Sequence, residues 1–94
     1  MSSFKLEQQV EGENTIVTLD GDLTGEYVKL VESYLQRLLS TETNLILKLR
    51  GIQTITFPAM ELLQRLADKG VVLLGSGLYT EHIIERITAR GMTH

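Results

Sequence analysis

The sequence predicts an α/β fold in which a four-stranded mixed sheet carries three helices. Near the N-terminus apolar residues recur at every second position, which is typical of half-buried strands. Further along, three segments have apolar residues at helical spacing. Two short apolar runs, at 45–49 and 71–74, separate these helical segments. The pattern therefore predicts an antiparallel hairpin followed by two strand–helix–strand units with right-handed crossovers.

The first strand is expected over residues 4–10. One side of this segment reads Phe4, Leu6, Gln8 and Val10. Charged and amide residues occupy the other side, which predicts an exposed edge strand with one apolar face. Residues 11–14 form a turn signal, and a second strand is expected over 16–19. Because the connection is short, the two strands should pair as an antiparallel hairpin.

The first helix is expected over residues 25–39. Its apolar stripe consists of Tyr27, Val31, Tyr34, Leu35 and Leu38. Asp22 or Thr24 is the expected N-cap, since short oxygen-bearing side chains accept hydrogen bonds from free helical N–H groups. The third strand, 45–49, is apolar on both sides except at Lys48, which indicates a central parallel position.

The second helix is expected to have Pro58 in its first turn, where no N–H is needed and φ is already helical. Its apolar stripe consists of Ala59, Leu62, Leu63, Leu66 and Ala67. Gly70 is expected to end this helix in a left-handed conformation. After the fourth strand, 71–74, the last helix is expected over about 80–90, with Thr80 as its N-cap. Ile83, Ile84 and Ile87 should form its buried face.

Composition narrows the classes of function. The 94 residues predict a single domain spanning 1–94, and 43% hydrophobic with 22% charged residues is typical of a globular chain. Cysteine is absent, and a net charge of −3 with scattered Lys and Arg argues against nucleic-acid binding. No segment approaches a membrane span, and no signal-peptide pattern is visible, so a cytoplasmic protein without direct membrane insertion is expected.

Three segments carry a resemblance to a known family. They are VTLDGDL at 17–23, LILKLRGIQTIT at 45–56 and TFPAMELL at 56–63. With the element order, they make residues 4–90 similar to a STAS domain, the module of sulfate transporters and anti-sigma factor antagonists. The resemblance implies a bacterial, anti-sigma factor antagonist-like module. Its protein partner would be an anti-sigma kinase-like protein, a sensory assembly or a transporter subunit.

The chain departs from the family at its phosphorylation motif. Antagonist members carry an Asp-Ser-Ser-Gly turn in which a partner kinase phosphorylates a serine. Here Thr56 stands at the aspartate, Phe57 and Pro58 stand at the two serines, and Ala59 stands at the glycine. Neither Phe57 nor Pro58 has a hydroxyl, so phosphoryl transfer is impossible at both positions. Thr54 or Thr56 could serve as a relocated phospho-acceptor, or each could be an ordinary strand or capping threonine.

The predicted function is non-catalytic protein binding by a regulatory or transporter-associated scaffold. The expected partner-binding residues lie in one loop and one helix start: Asp22, Leu23, Thr24, Thr56, Phe57, Pro58, Ala59 and Met60. Phe57 is open to two interpretations: an exposed apolar contact for the partner, or a core residue under the sheet edge. No enzyme activity and no cofactor are expected.

Other candidate sites have weaker patterns. Gly75, Ser76 and Gly77 follow a strand and precede a helix, which suggests small-ligand or nucleotide sensing as the alternative function. Asp20 and Asp22 could bind a hard cation, although turn and capping roles are the other interpretation. His82 and His94 have no nucleophile or metal-ligand partner at a recognisable spacing, so no catalytic or metal site is predicted.

Overall fold

The computed structural model describes residues 4–41 and 44–92. Four strands and three helices follow one another as β1 (Lys5–Glu11), β2 (Asn14–Asp20), α1 (Gly25–Leu39), β3 (Leu45–Arg50), α2 (Phe57–Asp68), β4 (Val72–Gly75) and α3 (Leu78–Met92). The strands lie in the order β1-β2-β3-β4. β1 pairs antiparallel with β2, whereas β2, β3 and β4 are parallel. The predicted α/β fold with a four-stranded mixed sheet and three helices is confirmed.

One face of the sheet is covered by the helices. Val17 and Leu19 of β2 pair with Leu47 and Leu49 of β3, and all four side chains are at most 1% exposed. They share one hydrophobic cluster with side chains from every helix: Val28, Val31, Leu35, Ala59, Leu62, Leu63, Leu66, Ile83 and Ile87. Burial of these side chains is the main stabilising term for the domain, because free energy scales with the apolar area removed from water.

Two hydrogen bonds and one stacked pair of aromatic rings join α1 to its neighbours. The Tyr34 hydroxyl donates to Gln8 Oε1, which explains why an amide side chain is accommodated on the apolar side of β1. The rings of Phe4 and Tyr27 stack with their centroids 4.4 Å apart. On the other flank of α1, Glu32 accepts a hydrogen bond from Arg65 of α2 at 2.8 Å.

The second face of the sheet, which we call the open face, carries the alternate residues of the same strands. Ile16, Thr18 and Asp20 of β2 lie beside Ile46, Lys48 and Arg50 of β3. Val72 and Leu74 of β4 continue the face and are 51% and 44% exposed. None of these residues belongs to the hydrophobic cluster that joins the sheet to the helices.

The element boundaries depart from the sequence-based expectation mainly at α3. This helix begins at Leu78, so the prediction that Thr80 caps it is wrong. Thr80 lies inside the first turn and is 1% exposed, packed against Gly75. Gly77 turns the chain at φ +98°, which lets the helix start directly after it. α3 also extends to Met92, beyond the expected end near residue 90.

The remaining differences are small. α1 has the expected bounds, β2 and β3 are longer than predicted, and β4 is shifted by one residue. Gly70 has φ +94° after α2, as expected for a left-handed helix end. Within residues 4–41 and 44–92, no helix combines the length and apolarity that crossing a membrane requires.

Candidate functional site

The candidate site lies where the three parallel strands end. Because β2, β3 and β4 are parallel, their carboxyl ends meet at one end of the sheet, and each is followed by the start of a helix. We call the surface formed by residues 22–24, 53–60 and 76–78 the carboxyl-end surface. In open α/β sheets this end is the usual position of binding sites. Of the eight residues predicted from sequence to bind a partner, Leu23 and Ala59 are fully buried in these segments, and the other six have side chains that reach the surface.

Asp22 joins two loops that are distant in sequence. Its Oδ1 accepts hydrogen bonds from the backbone N–H groups of Gln53 at 2.8 Å and Thr54 at 3.0 Å. Next to it, Leu23 forms an isolated parallel bridge with Ile55. Leu23 N donates to the Thr54 carbonyl at 3.2 Å, and Thr56 N donates to the Leu23 carbonyl at 3.4 Å. The loop after β2 and the loop after β3 are therefore held side by side.

This arrangement corrects the expected role of Asp22 and Thr24 in capping α1. Thr24 occupies the N-cap position, but its side chain makes no capping hydrogen bond. Its carbonyl instead accepts from the backbone N–H groups of Tyr27 and Val28, both at 2.9 Å. The Asp22 carboxylate binds the backbone of the neighbouring loop, as described above. The predicted side-chain cap is wrong because the Asp22 carboxylate accepts from Gln53, which lies 31 positions further along the chain. A local sequence pattern does not reveal such a distant partner.

Phe57 is the most informative residue of the site. It is the first residue of α2 and is 73% exposed, so the interpretation of Phe57 as a core residue is wrong. Pro58 beside it is also exposed, whereas Ala59 is fully buried and Met60 is half-buried. The start of α2 thus presents an aromatic ring and a proline to solvent, while Ala59 fixes the helix against the core.

The two candidate phospho-acceptors lie in different surroundings. Thr54 is exposed, and its N–H is bound to the Asp22 carboxylate. The Thr56 hydroxyl is buried and has no hydrogen-bond partner among the described residues. A kinase needs access to the hydroxyl oxygen, so the folded structure disfavours Thr56 and leaves Thr54 as the accessible hydroxyl of this loop.

The structure explains why Gly75 and Gly77 are glycines. A β-carbon on Gly75 would lie 2.8 Å from Ile84 Cδ1 and 2.9 Å from Thr80 Cγ2, so glycine permits the close approach of β4 and α3. Gly77 supplies the positive φ of the turn. Ser76 is exposed, and its N–H donates to the Leu49 carbonyl at 3.0 Å.

Leu78 is a surface residue that the sequence-based analysis missed. It opens α3 and is 88% exposed, more than any other large apolar side chain in the described part of the chain. The sequence contains a signal for this exposure. Leu78 lies five and nine residues before Ile83 and Ile87, and these spacings place it off the helical stripe that those two residues form. Phe57 and Leu78 are thus both exposed in the first turn of a helix at the same end of the sheet.

The charge and metal-binding capacity of the surface are low. Asp22 carries the only formal charge among residues 22–24, 53–60 and 76–78, and one of its oxygens already accepts two backbone hydrogen bonds. Within the described ranges, no group of three His, Cys, Asp or Glu side chains could hold a metal ion. His82 is exposed, and His94 lies outside the described residues. The arrangement offers apolar contacts and a fixed backbone.

No protein-family model matches the chain, and no curated protein matches it either.

Proposed function

We propose that this chain is a non-catalytic protein-interaction module, similar to a STAS domain, that binds a protein partner through the carboxyl-end surface. The observation that carries the proposal is the 73% exposure of Phe57 at the start of α2. Aromatic side chains that a partner can bury are the residues that most often dominate binding energy. The low charge of the surface supports the same conclusion, because charged residues are depleted at interface cores.

The rigidity of the backbone also supports a binding role. The Asp22 carboxylate and the Leu23–Ile55 bridge hold the two loops in one arrangement before any partner arrives. A preorganised surface loses less conformational entropy on binding than a mobile one. Phe57 is therefore presented from a fixed position, which favours recognition of a complementary pocket on the partner.

The proposed mode of binding is constitutive, without a phosphorylation switch at the helix start. Phe57 and Pro58 have no hydroxyl, and the Thr56 hydroxyl is buried. The ββαβαβα order and the similar segments support a regulatory or transporter-associated role in a bacterial cytoplasm. By that resemblance the partner is an anti-sigma kinase-like protein, a sensory assembly or the cytoplasmic subunit of a transporter.

Affinity capture with variants of the surface tests this proposal. The tagged chain is used to capture partners from the source cell, which are identified by mass spectrometry and then titrated as purified proteins. Phe57→Ser and Met60→Glu are each expected to weaken binding by about tenfold or more, as for a hot-spot residue worth 1.4 kcal/mol or more. Val10→Ser is the matched control, because Val10 is 64% exposed at the hairpin end of the sheet.

The outcomes separate the proposal from its competitors. Equal affinity of both variants and the original chain would remove the carboxyl-end surface from the interaction. A loss with Val10→Ser as large as that with Phe57→Ser would place the contact elsewhere or indicate a general effect on folding, which circular dichroism of each variant distinguishes.

A further inference from the structure

β1 is a long strand at one edge of the sheet. It spans Lys5–Glu11, whereas β4, at the opposite edge, spans only Val72–Gly75. Within residues 4–41 and 44–92, β1 pairs with β2 and with no other strand. An edge strand offers a row of backbone N–H and C=O groups to any strand that lies beside it, and a very short edge strand limits such pairing. β1 is therefore the edge at which a further strand can form the most hydrogen bonds.

The hydrogen-bond pattern shows which backbone groups of β1 point to the free edge. Thr15 N donates to the Asn44 carbonyl at 2.9 Å, so Thr15 directs its backbone groups away from β1 and towards β3. In an antiparallel pair, hydrogen-bonded and non-hydrogen-bonded residue pairs alternate along the strands. Thr15 lies opposite Val10, so the even-numbered residues of β1 point away from β2: Leu6, Gln8 and Val10.

Exposed apolar side chains lie along the same edge. Val10 is 64% exposed, and Leu30 on the neighbouring helix α1 is 57% exposed. A groove of about 550 Å³ separates β1 from the outer flank of α1, and it is lined by Leu6, Lys29, Leu30, Ser33, Tyr34 and Arg37. Apolar surface thus continues from the free edge of the sheet onto the helix.

We infer that β1 pairs antiparallel with β1 of a second copy of this chain, forming a symmetric dimer whose sheet continues through both copies. The two-fold axis is perpendicular to the sheet and passes between the two Gln8 residues. Leu6 then lies opposite Val10 of the second copy. Both residues direct their N–H and C=O groups to the shared edge, so each such pair exchanges two hydrogen bonds. The helices of both copies lie on the same side of the sheet, and Val10 of one copy contacts Leu6 in the groove of the other.

Charge selects this register among those that the edge permits. In it all of β1 is paired, Lys5 lies opposite Glu11, and Glu7 lies opposite Gln9. A shift by two residues in one direction places Glu7 opposite Glu7, and a shift in the other direction places Glu7 opposite Glu11. Opposite charges at directly opposed positions are stabilising, whereas like charges there are destabilising. A shift by a single residue is excluded, because an outward-pointing backbone group would then face one that is directed to β2. The edge is therefore self-complementary, as an isologous interface requires.

One contact in this register is unfavourable. The two Glu7 side chains are diagonal neighbours across the axis, about 7–8 Å apart. Both are exposed to solvent, so water and salt screen their repulsion, and the two Lys5–Glu11 pairs offset it. This contact makes a prediction of opposite sign possible, because removing the Glu7 charge should tighten the dimer.

The dimer is independent of the proposed function. The carboxyl-end surface follows β2, β3 and β4, so it is not covered when the β1 edges meet. Because the axis reverses the strand direction, the two carboxyl-end surfaces lie at opposite ends of the continuous sheet, where each can bind its own partner molecule. The affinity of one surface for one partner molecule does not depend on the dimer, so failure of either proposal is observed separately.

Charge reversal at the edge tests the inferred dimer. Sedimentation equilibrium measures the dimer dissociation constant of the full chain and its variants. Lys5→Glu and Glu11→Lys are each expected to raise this constant about fivefold or more, because two attractive pairs become repulsive. The double variant should return it to within about twofold of the original. Lys48→Glu is the matched control, because Lys48 is an exposed strand residue two strands away and the variant has the same net charge as Lys5→Glu.

Two further variants test the backbone pairing and the contact at the axis. Val10→Pro removes an N–H that points to the free edge, so it leaves the hydrogen bonds between β1 and β2 in place. It should raise the dissociation constant about tenfold or more, because two hydrogen bonds across the interface are lost. Glu7→Gln should lower the constant about twofold. Circular dichroism of each variant confirms that the fold is intact.

Each result decides for or against the dimer. Weakening by both single reversals and by Val10→Pro, rescue by the double variant and no effect of Lys48→Glu support pairing at the β1 edge. A chain that stays monomeric at millimolar concentration overturns it. Equal weakening by Lys48→Glu and Lys5→Glu also overturns it, because net charge and not the edge register then controls association. A dimer whose constant no edge variant changes is formed by another surface and overturns it as well.

Discussion

Two regions of this protein differ in the burial of their apolar side chains. On the helix-covered face of the sheet, Leu47 and Leu49 of β3 are at most 1% exposed. Eight residues after Leu49, Phe57 is 73% exposed at the start of α2. The first region is held by burial of its side chains. The second is held by backbone hydrogen bonds to Asp22 and Leu23, while its aromatic ring contributes little to the fold.

This difference indicates how stability and binding are divided in a small domain. Fully burying a leucine side chain contributes about 1.5–3 kcal/mol, so the covered face must retain its apolar residues for the chain to fold. A ring left in water makes no such contribution until a partner covers it. Substitutions in the two regions should therefore separate into those that change the free energy of unfolding and those that change binding.

The largest expected effect is on the covered face. Leu47→Ala should lower the free energy of unfolding by about 2–5 kcal/mol, because it removes buried atoms and leaves a cavity. Phe57→Ser should change it by no more than about 0.5 kcal/mol, since an exposed side chain loses few contacts. Urea denaturation of both variants measures the difference. If Phe57→Ser proved as destabilising as Leu47→Ala, the contrast between the two regions would fail.

A smaller effect is expected where the two loops are joined. Asp22→Ala should lower the free energy of unfolding by about 1–3 kcal/mol, because two backbone N–H groups lose their charged acceptor. Asp22→Asn keeps an acceptor oxygen and should lower the free energy of unfolding by less than Asp22→Ala does. Asp20→Ala is the control, because its carboxylate takes part in an exposed ion pair with Arg50 that is worth at most about 1 kcal/mol.

Equal stability of Asp22→Ala and the original chain would contradict the role of Asp22 in holding the loops together. Hydrogen exchange of the Gln53 and Thr54 amides gives a local measurement. Faster exchange of these two amides in Asp22→Ala, with unchanged exchange in β3, is the expected pattern.

The smallest effect is expected at Thr56, inside the carboxyl-end surface. Its hydroxyl is buried without a hydrogen-bond partner among the described residues, so Thr56→Val should raise the free energy of unfolding by about 1 kcal/mol. Thr54→Val should leave it nearly unchanged, because Thr54 is exposed. Thermal denaturation compares the two valine variants. A loss of stability in Thr56→Val would show that the hydroxyl makes a favourable contact in solution.

The element order and most of the covered face follow from the sequence alone. The alternation in β1 and the helical spacing over 25–39 are local patterns, and each depends on residues a few positions apart. α1 accordingly has the predicted bounds, and the predicted stripe of α2 is buried at Ala59, Leu62, Leu63 and Leu66. The same locality explains the correct prediction of Gly70 as a left-handed residue.

Contacts between distant segments account for what the sequence left open. The exposure of Phe57, the loop partner of Asp22 and the burial of Thr80 against Gly75 depend on how elements pack. Among residues 4–41 and 44–92, the hydrophobic cluster that joins the sheet to the helices does not include the open face. That too depends on how the elements pack. Periodicity shows that a residue lies on a face, but only packing decides whether that face is covered, because covering it requires side chains from elsewhere in the chain or from another molecule.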